Sequence, residues 1–163
     1  MLSQSMQKKL NEQVRNEIYS SYLYLSMSAH FQAVNLVGFA KWMAVQSKEE
    51  YGHAMKIYEY IHDRSGRITL DAIAKPPATF KKPLDVMKQV LEHEVSVTAM
   101  IHELYDLAIK EKDYPTLVML QWFVTEQVEE ERTASDIIEQ LKMIGDAPAG
   151  LMMLDRQLAS RGT

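Results

Sequence analysis

The 163-residue sequence contains no cysteine. This absence excludes disulfides, thiolate metal ligands and cysteine nucleophiles. Glycine and proline are scarce, with six and five residues, so the chain offers few points at which a helix must break. No apolar run is long enough to span a membrane, and the first residues lack the apolar core of a secretory signal. We therefore expect a cytoplasmic protein without a membrane partner.

Positive charge is also in short supply, because 22 acidic residues outnumber 18 basic ones and the net charge is −4. Nucleic-acid binding usually needs a basic patch, so we expect no nucleic-acid partner. Apolar residues make up 47% of the chain, which at this length suits a single domain with a sizeable core.

Helical periodicity dominates the sequence, and strand-like alternation is rare. Ser3 or Ser5 is the candidate N-cap of the first helix, Ser65-Gly66 stops the second, and Pro83 opens the third. The pattern predicts four long helices and a short terminal one, over about residues 5–34, 38–64, 83–112, 115–144 and 148–160.

The connections predict how these helices are arranged. Short turns join helices one to two and three to four, so each pair should be antiparallel. The segment 67–82 contains Pro76-Pro77 and no helical stripe, and it is long enough to cross the whole bundle. We therefore predict an all-α four-helix bundle over residues 1–163, with one long crossover connection.

Each long helix carries an acidic side chain on its apolar face. A buried carboxylate without a partner either costs several kcal/mol or takes up a proton, and no lysine or arginine shares these faces. Bound cations are the simplest compensation, and oxygen ligands with one imidazole suit iron, manganese or zinc. The residues concerned are Glu17, Glu50 with His53, Glu94, and Glu126 with Glu130, with Gln127 at the margin of the last face.

A repeat of 77 residues supports this interpretation. Glu94 lies 77 residues after Glu17, and the same shift relates Glu50 to Gln127 and His53 to Glu130. Di-iron bundles of the general type place one Glu on each of two helices and a Glu-x-x-His on each of the other two. Here the second histidine is replaced, so we expect an asymmetric pair of metal sites.

Several residues have competing interpretations. Glu59-x-x-His62 repeats the Glu-x-x-His spacing but falls on the opposite helix face, which predicts a solvated pair. Trp122 is expected in the core, and Tyr24, two turns after Glu17, is either a core tyrosine or a participant in electron transfer. Met55 is a weak candidate for a haem ligand, since gap filling explains most methionines.

Five stretches, over residues 16–27, 48–55, 93–98, 112–116 and 120–131, resemble the ferritin family. The resemblance covers nearly the whole chain and is strongest to the non-haem ferritins of bacteria and archaea. It implies a ferritin-like bundle that oxidises Fe(II) with O2 or H2O2 and stores ferric oxo-hydroxide in a shell of 24 identical subunits. Gln127, Glu130 and Gly52 depart from the bacterioferritin pattern, so no haem is expected.

The resemblance also implies roles for individual residues. Two irons per subunit would be bound, the first by Glu17, Glu50 and His53 and the second by Glu50, Glu94 and Glu130. Gln127 would lie beside them, and Tyr24, Glu50 and Glu130 would act in catalysis. A third iron site is implied at Glu49, Glu126 and Glu129.

Two alternatives remain open from the sequence. One is another di-iron carboxylate oxidase or peroxidase that forms only a small oligomer. The other is a metal-free bundle whose buried acids form a hydrogen-bond network, although such a network lacks donors.

Overall fold

The computed structural model describes residues 1–161. Its helix bounds lie within two residues of the predicted ones. Over the described range there is no β-strand, and no helix combines the length and apolar character that a membrane span requires. The helices are α1 (Gln4–Ala33), α2 (Val37–Asp63), α3 (Pro83–Glu111), α4 (Tyr114–Ile144) and α5 (Pro148–Leu158).

The chain forms two compact units. One contains Met1–Lys81 together with the chain from Ile144 onward, and the other is Lys82–Met143. The first unit therefore holds α1, α2 and α5, and the second holds α3 and α4.

Serine hydroxyls tie α1 to α2. Ser21 Oγ donates to the carbonyl oxygen of Ser47 at 2.7 Å, and Ser47 Oγ donates to the carbonyl of Ser21 at 2.7 Å. Further along, Ser28 Oγ donates to the carbonyl of Ala40 at 2.8 Å. From the first pair to the second, the residue number rises in α1 and falls in α2. The two helices are therefore antiparallel, as predicted. Small side chains at these levels bring the two backbones close together.

Local chemistry sets the helix ends. Ser3 caps α1, because its Oγ accepts a hydrogen bond from the backbone N–H of Met6 at 2.9 Å. At the end of α2, Gly66 N–H donates back to the carbonyl of Ile61 at 2.8 Å, which closes a Schellman motif. The left-handed residue of that motif is Ser65, with φ of 55°, and not the neighbouring glycine.

Residues 67–82 contain no helix and follow α1. Asn11 donates to the carbonyl of Arg67 at 3.0 Å and accepts from Thr69 N–H at 2.8 Å. Further along, Ser26 Oγ donates to the carbonyl of Pro77 at 2.6 Å. The segment thus returns the chain to the end of the first unit at which α2 begins.

The second unit is a helix hairpin. Only residues 112 and 113 separate α3 from α4. Lys112 has φ of 56°. Asp113 caps α4, because its Oδ1 accepts from the backbone N–H of Thr116 at 3.4 Å, and its Oδ2 accepts from the Thr116 hydroxyl at 2.7 Å. The tight connection makes α3 and α4 antiparallel neighbours, as the sequence predicts.

Candidate metal centre

The first unit holds a buried cluster of two carboxylates and one imidazole. Glu17 comes from α1, and Glu50 and His53 come from one face of α2; they are 1%, 1% and 6% exposed. One ligand atom from each residue lies within 4.8 Å of the others. His53 Nδ1 is 3.4 Å from Glu50 Oε2. Spacing of three residues within α2 puts both side chains on the same face as the apolar core.

Glu17 shows the electrostatic cost of burying these carboxylates close together. Burial raises the pKa of Glu17 well above its ordinary value, and the negative charge of Glu50 raises it further. Glu17 Oε2 is also buried without a hydrogen-bond partner. A metal cation could take the place of the proton and use this oxygen, so the donor set fits a hard or borderline divalent ion.

Two glutamines support the carboxylates of this cluster. Gln13 Nε2 donates to Glu17 Oε1 at 2.7 Å, and Gln46 Nε2 donates to Glu50 Oε1 at 3.3 Å. Both glutamines are buried, and each precedes its glutamate by one helical turn. The sequence interpretation did not include them. The signal in the sequence is a glutamine four residues before Glu17 and another four residues before Glu50.

The second unit holds the other predicted ligands. Glu94 on α3 and Glu130 on α4 are buried. Gln127 Nε2 donates to Glu94 Oε2 at 3.1 Å and lies 3.3 Å from Thr98 Oγ1. Gln127 therefore contacts a predicted ligand directly.

The residues expected at a third iron site differ in their surroundings. In the first unit, Glu49 is half-buried and forms an ion pair of 2.5 Å with Arg161. The guanidinium carbon of Arg161 also lies 4.4 Å from the ring centre of Trp42. In the second unit, Glu126 is half-buried and Glu129 is exposed. Arg161 was not identified from the sequence, because it lies 112 residues from Glu49.

The remaining candidates divide by burial. Tyr24 is fully buried in α1. Glu59 and His62 are exposed, as the helical spacing predicted. The expectation of a core position for Trp122 was wrong, because this residue is 38% exposed. Its ring packs edge-on against the ring of Phe123, with 4.9 Å between the ring centres.

The chain matches the ferritin-like domain family over residues 7–144. It is 44% identical to a bacterial non-heme ferritin of Bacteroides fragilis, covering 99% of this chain and all of that one. A bacterial non-heme ferritin of Staphylococcus haemolyticus is 38% identical over 99% of this chain and 97% of its own length.

Solved structures agree with these sequence relatives. An open-pore ferritin from the archaeon Archaeoglobus fulgidus is 47% identical, with a TM-score of 0.98 and 99% of both chains covered. An engineered closed form of that ferritin has a TM-score of 0.97 at 48% identity, covering 99% of this chain and 98% of the other. This likeness confirms the predicted fold class, an all-α ferritin-like four-helix bundle with a short C-terminal helix. The chain therefore belongs to the ferritin-like domain family, in which it is similar to the bacterial non-heme ferritins.

Proposed function

We propose that this protein stores iron and oxidises Fe(II) at a centre built from its buried carboxylates. The observation that carries the proposal is the buried cluster of Glu17, Glu50 and His53, in which two carboxylates and an imidazole lie away from water with one ligand atom of each within 4.8 Å of the others. Similarity to non-heme ferritins over the whole chain supports the choice of iron as the cargo.

In this proposal two Fe(II) ions bind in each subunit. Glu17, Glu50 and His53 hold the first ion, and Glu94 and Glu130 hold the second. The 77-residue repeat supports a paired arrangement of this kind. His53 gives the first ion a nitrogen ligand that the second ion lacks, so the two sites differ in affinity.

The proposed reaction removes one electron from each Fe(II). With dioxygen, two irons supply two electrons, and two protons complete the reduction to hydrogen peroxide. With hydrogen peroxide as oxidant, two electrons break the O–O bond and give two hydroxide ions. The carboxylates favour the ferric product because each iron gains one positive charge on oxidation. Ferric iron then hydrolyses and is stored as oxo-hydroxide.

Three side chains have separate tasks in this scheme. Glu50 is a ligand of the first ion, and Glu130 is a ligand of the second. Tyr24 is fully buried in α1, two turns after Glu17, and we propose that it supplies an electron or a hydrogen bond near the first ion. Glu49, Glu126 and Glu129 form a third, weaker site.

We also propose that the protein assembles as a homo-oligomeric shell of 24 subunits. Several large apolar side chains are exposed on the single chain, which suits burial between subunits. They include Tyr22, Leu25, Tyr51, Tyr114, Val118 and Val128. Sedimentation analysis checks this: a stable small oligomer would favour a different di-iron oxidase or peroxidase.

Stopped-flow measurement of Fe(II) oxidation tests the centre. The Glu17→Ala and Glu50→Ala variants should lose the rapid phase, because each removes a ligand. The double variant Glu59→Ala and His62→Ala is a matched control, since it removes the same residue types at the same spacing from an exposed face. Rapid oxidation that persists without Glu17 and Glu50 would overturn the proposal, as would metal analysis that finds no bound iron in crystals soaked with Fe(II).

A further inference from the structure

Buried carboxamides contact three of the proposed iron ligands. Gln13 donates to Glu17 at 2.7 Å, and Gln46 donates to Glu50 at 3.3 Å. In the second unit, Gln127 donates to Glu94. All three glutamines are buried, with at most 3% of the residue exposed.

The glutamines that contact Glu17 and Glu50 have no equivalent in the second half of the 77-residue repeat. The positions 77 residues after Gln13 and Gln46 are Val90 and Phe123, which cannot donate a side-chain hydrogen bond. The first unit therefore uses a glutamine on the same helix as its glutamate, whereas Glu94 in α3 is contacted from the neighbouring helix α4.

A carboxamide suits a cation site better than a basic residue does. Its N–H fixes one oxygen of a carboxylate and adds no net charge, so the attraction of that carboxylate for a cation is retained. Lysine or arginine would also fix the carboxylate but would repel an incoming metal ion. Glu49, which pairs with Arg161, shows the opposite arrangement in the same unit.

The geometry at Glu17 is the most specific. Oε1 accepts from Gln13, while Oε2 is buried and has no hydrogen-bond partner. We infer that Gln13 is a positioning residue for the first iron: it holds Glu17 by Oε1 and so directs Oε2 toward the metal. This inference rests on the proposed function, because it assumes that Glu17 is a ligand.

The inference predicts a specific loss. Gln13→Met keeps the approximate volume of the side chain and removes the donor, so Glu17 can rotate away from the metal or bind it through either oxygen. Outer hydrogen bonds of this kind change metal affinity by about ten- to a hundredfold. We expect Gln13→Met to bind the first metal about tenfold more weakly and to raise the KM for Fe(II) more than it lowers kcat.

Titration with Co(II) tests this without oxidation chemistry. Calorimetry gives the affinity of the metal-free protein for Co(II), and the visible absorption bands of bound Co(II) report its ligand geometry. Gln13→Met should weaken binding and change those bands. Gln13→Asn keeps a carboxamide that is one methylene too short to reach Glu17, and it should behave in the same way.

Ser28→Ala is the matched control. Ser28 is a buried polar residue of the same helix, and its hydroxyl donates to the carbonyl of Ala40. Its loss should lower the melting temperature and leave Co(II) affinity and absorption unchanged, which separates a structural role from a positioning role.

The outcomes distinguish the inference from the function on which it rests. If Glu17→Ala loses Co(II) binding while both Gln13 variants bind it like the parent protein, the inference is wrong and the proposed centre stands. If Glu17→Ala also binds Co(II) normally, the proposed centre itself is wrong. Weaker binding in both Gln13 variants with normal binding in Ser28→Ala supports the positioning role.

Discussion

Asp155 of α5 caps the N-terminus of α2, because its Oδ1 accepts a hydrogen bond of 2.9 Å from the backbone N–H of Phe39. The residue at the N-cap position of α2 is Leu36, whose side chain makes no capping bond. A carboxylate from a helix more than a hundred residues away therefore satisfies one of the free N–H groups. Its negative charge also interacts favourably with the dipole of α2.

Removal of this cap should destabilise the protein. We expect Asp155→Ala to lower the free energy of unfolding by about 1 kcal/mol, the usual cost of losing an N-cap side chain. Asp155→Asn should retain most of the stability, because asparagine also accepts such bonds. Urea denaturation of the metal-free protein measures both. Asp136→Ala, at an exposed position of α4, is the control, and an equal loss there would contradict the capping role.

The close approach of α5 to α2 also requires a glycine at position 38 of α2. A Cβ on Gly38 would lie 1.6 Å from the carbonyl oxygen of Asp155, whereas a Cβ on Gly52 would meet nothing within 4 Å. Gly38→Ala should therefore displace α5 and lower the melting temperature. Gly52→Ala, in the same helix, should raise stability by up to about 1 kcal/mol, because alanine has the higher helix propensity. Calorimetry of the two variants checks both signs, and a Gly38→Ala variant as stable as the parent would rule out the close approach.

Arg161 should compete with metal for Glu49. Its guanidinium forms the ion pair with Glu49 and also lies over the ring of Trp42. If Glu49 serves the proposed third site, Arg161→Met should raise the affinity of that site by roughly up to fivefold, since a partly exposed ion pair contributes about 1 kcal/mol or less. Calorimetric titration with Co(II) resolves the weaker sites. Arg156→Met removes a charge from an exposed position of α5 and should leave the affinity unchanged.

His93 should make the metal-free protein sensitive to acid. Burial lowers the pKa of His93 from its ordinary 6.5 to about 4. The unfolded chain takes up a proton below pH 6.5, while the folded chain stays neutral at His93 until about pH 4. The contribution to stability is therefore complete above pH 6.5 and is lost as the pH falls toward 4.

We expect His93→Gln to reduce the loss of stability between pH 7 and pH 5 by about 2 kcal/mol. Urea denaturation at the two pH values measures this difference. His102→Gln, which changes an exposed histidine of the same helix, is the control. A His93→Gln variant that loses as much stability as the parent would show that another group is responsible.

The helices were largely predictable from the sequence, because their ends depend on local chemistry. Ser3, Pro83 and Pro148 act on the turns next to them, and helical periodicity identified Glu17 and Glu50 as buried. The end of α2 was less well predicted. Both Ser65 and Gly66 were expected to stop the helix, and only the backbone hydrogen bonds show which of them adopts the left-handed conformation.

Part of the candidate site was also predictable from the sequence. Periodicity and spacing selected Glu17, Glu50 and His53, and the structure brings these three together within the first unit. Their role as iron ligands stays a prediction, as does cytoplasmic location. The expectation for Trp122 was wrong because this residue lies about 100° around α4 from the buried Phe123, which places it outside the face of the helix that the core covers.

The sequence by itself determined the helix lengths, their buried faces and the acidic groups on them, since these properties depend on residues a few positions apart. Tertiary structure alone decided which oxygen of Glu17 is held by Gln13 and which cation pairs with Glu49. It also decided that α5 caps α2. The physical reason is that such pairs depend on distances of a few ångströms between side chains, and packing fixes those distances in ways that sequence spacing cannot.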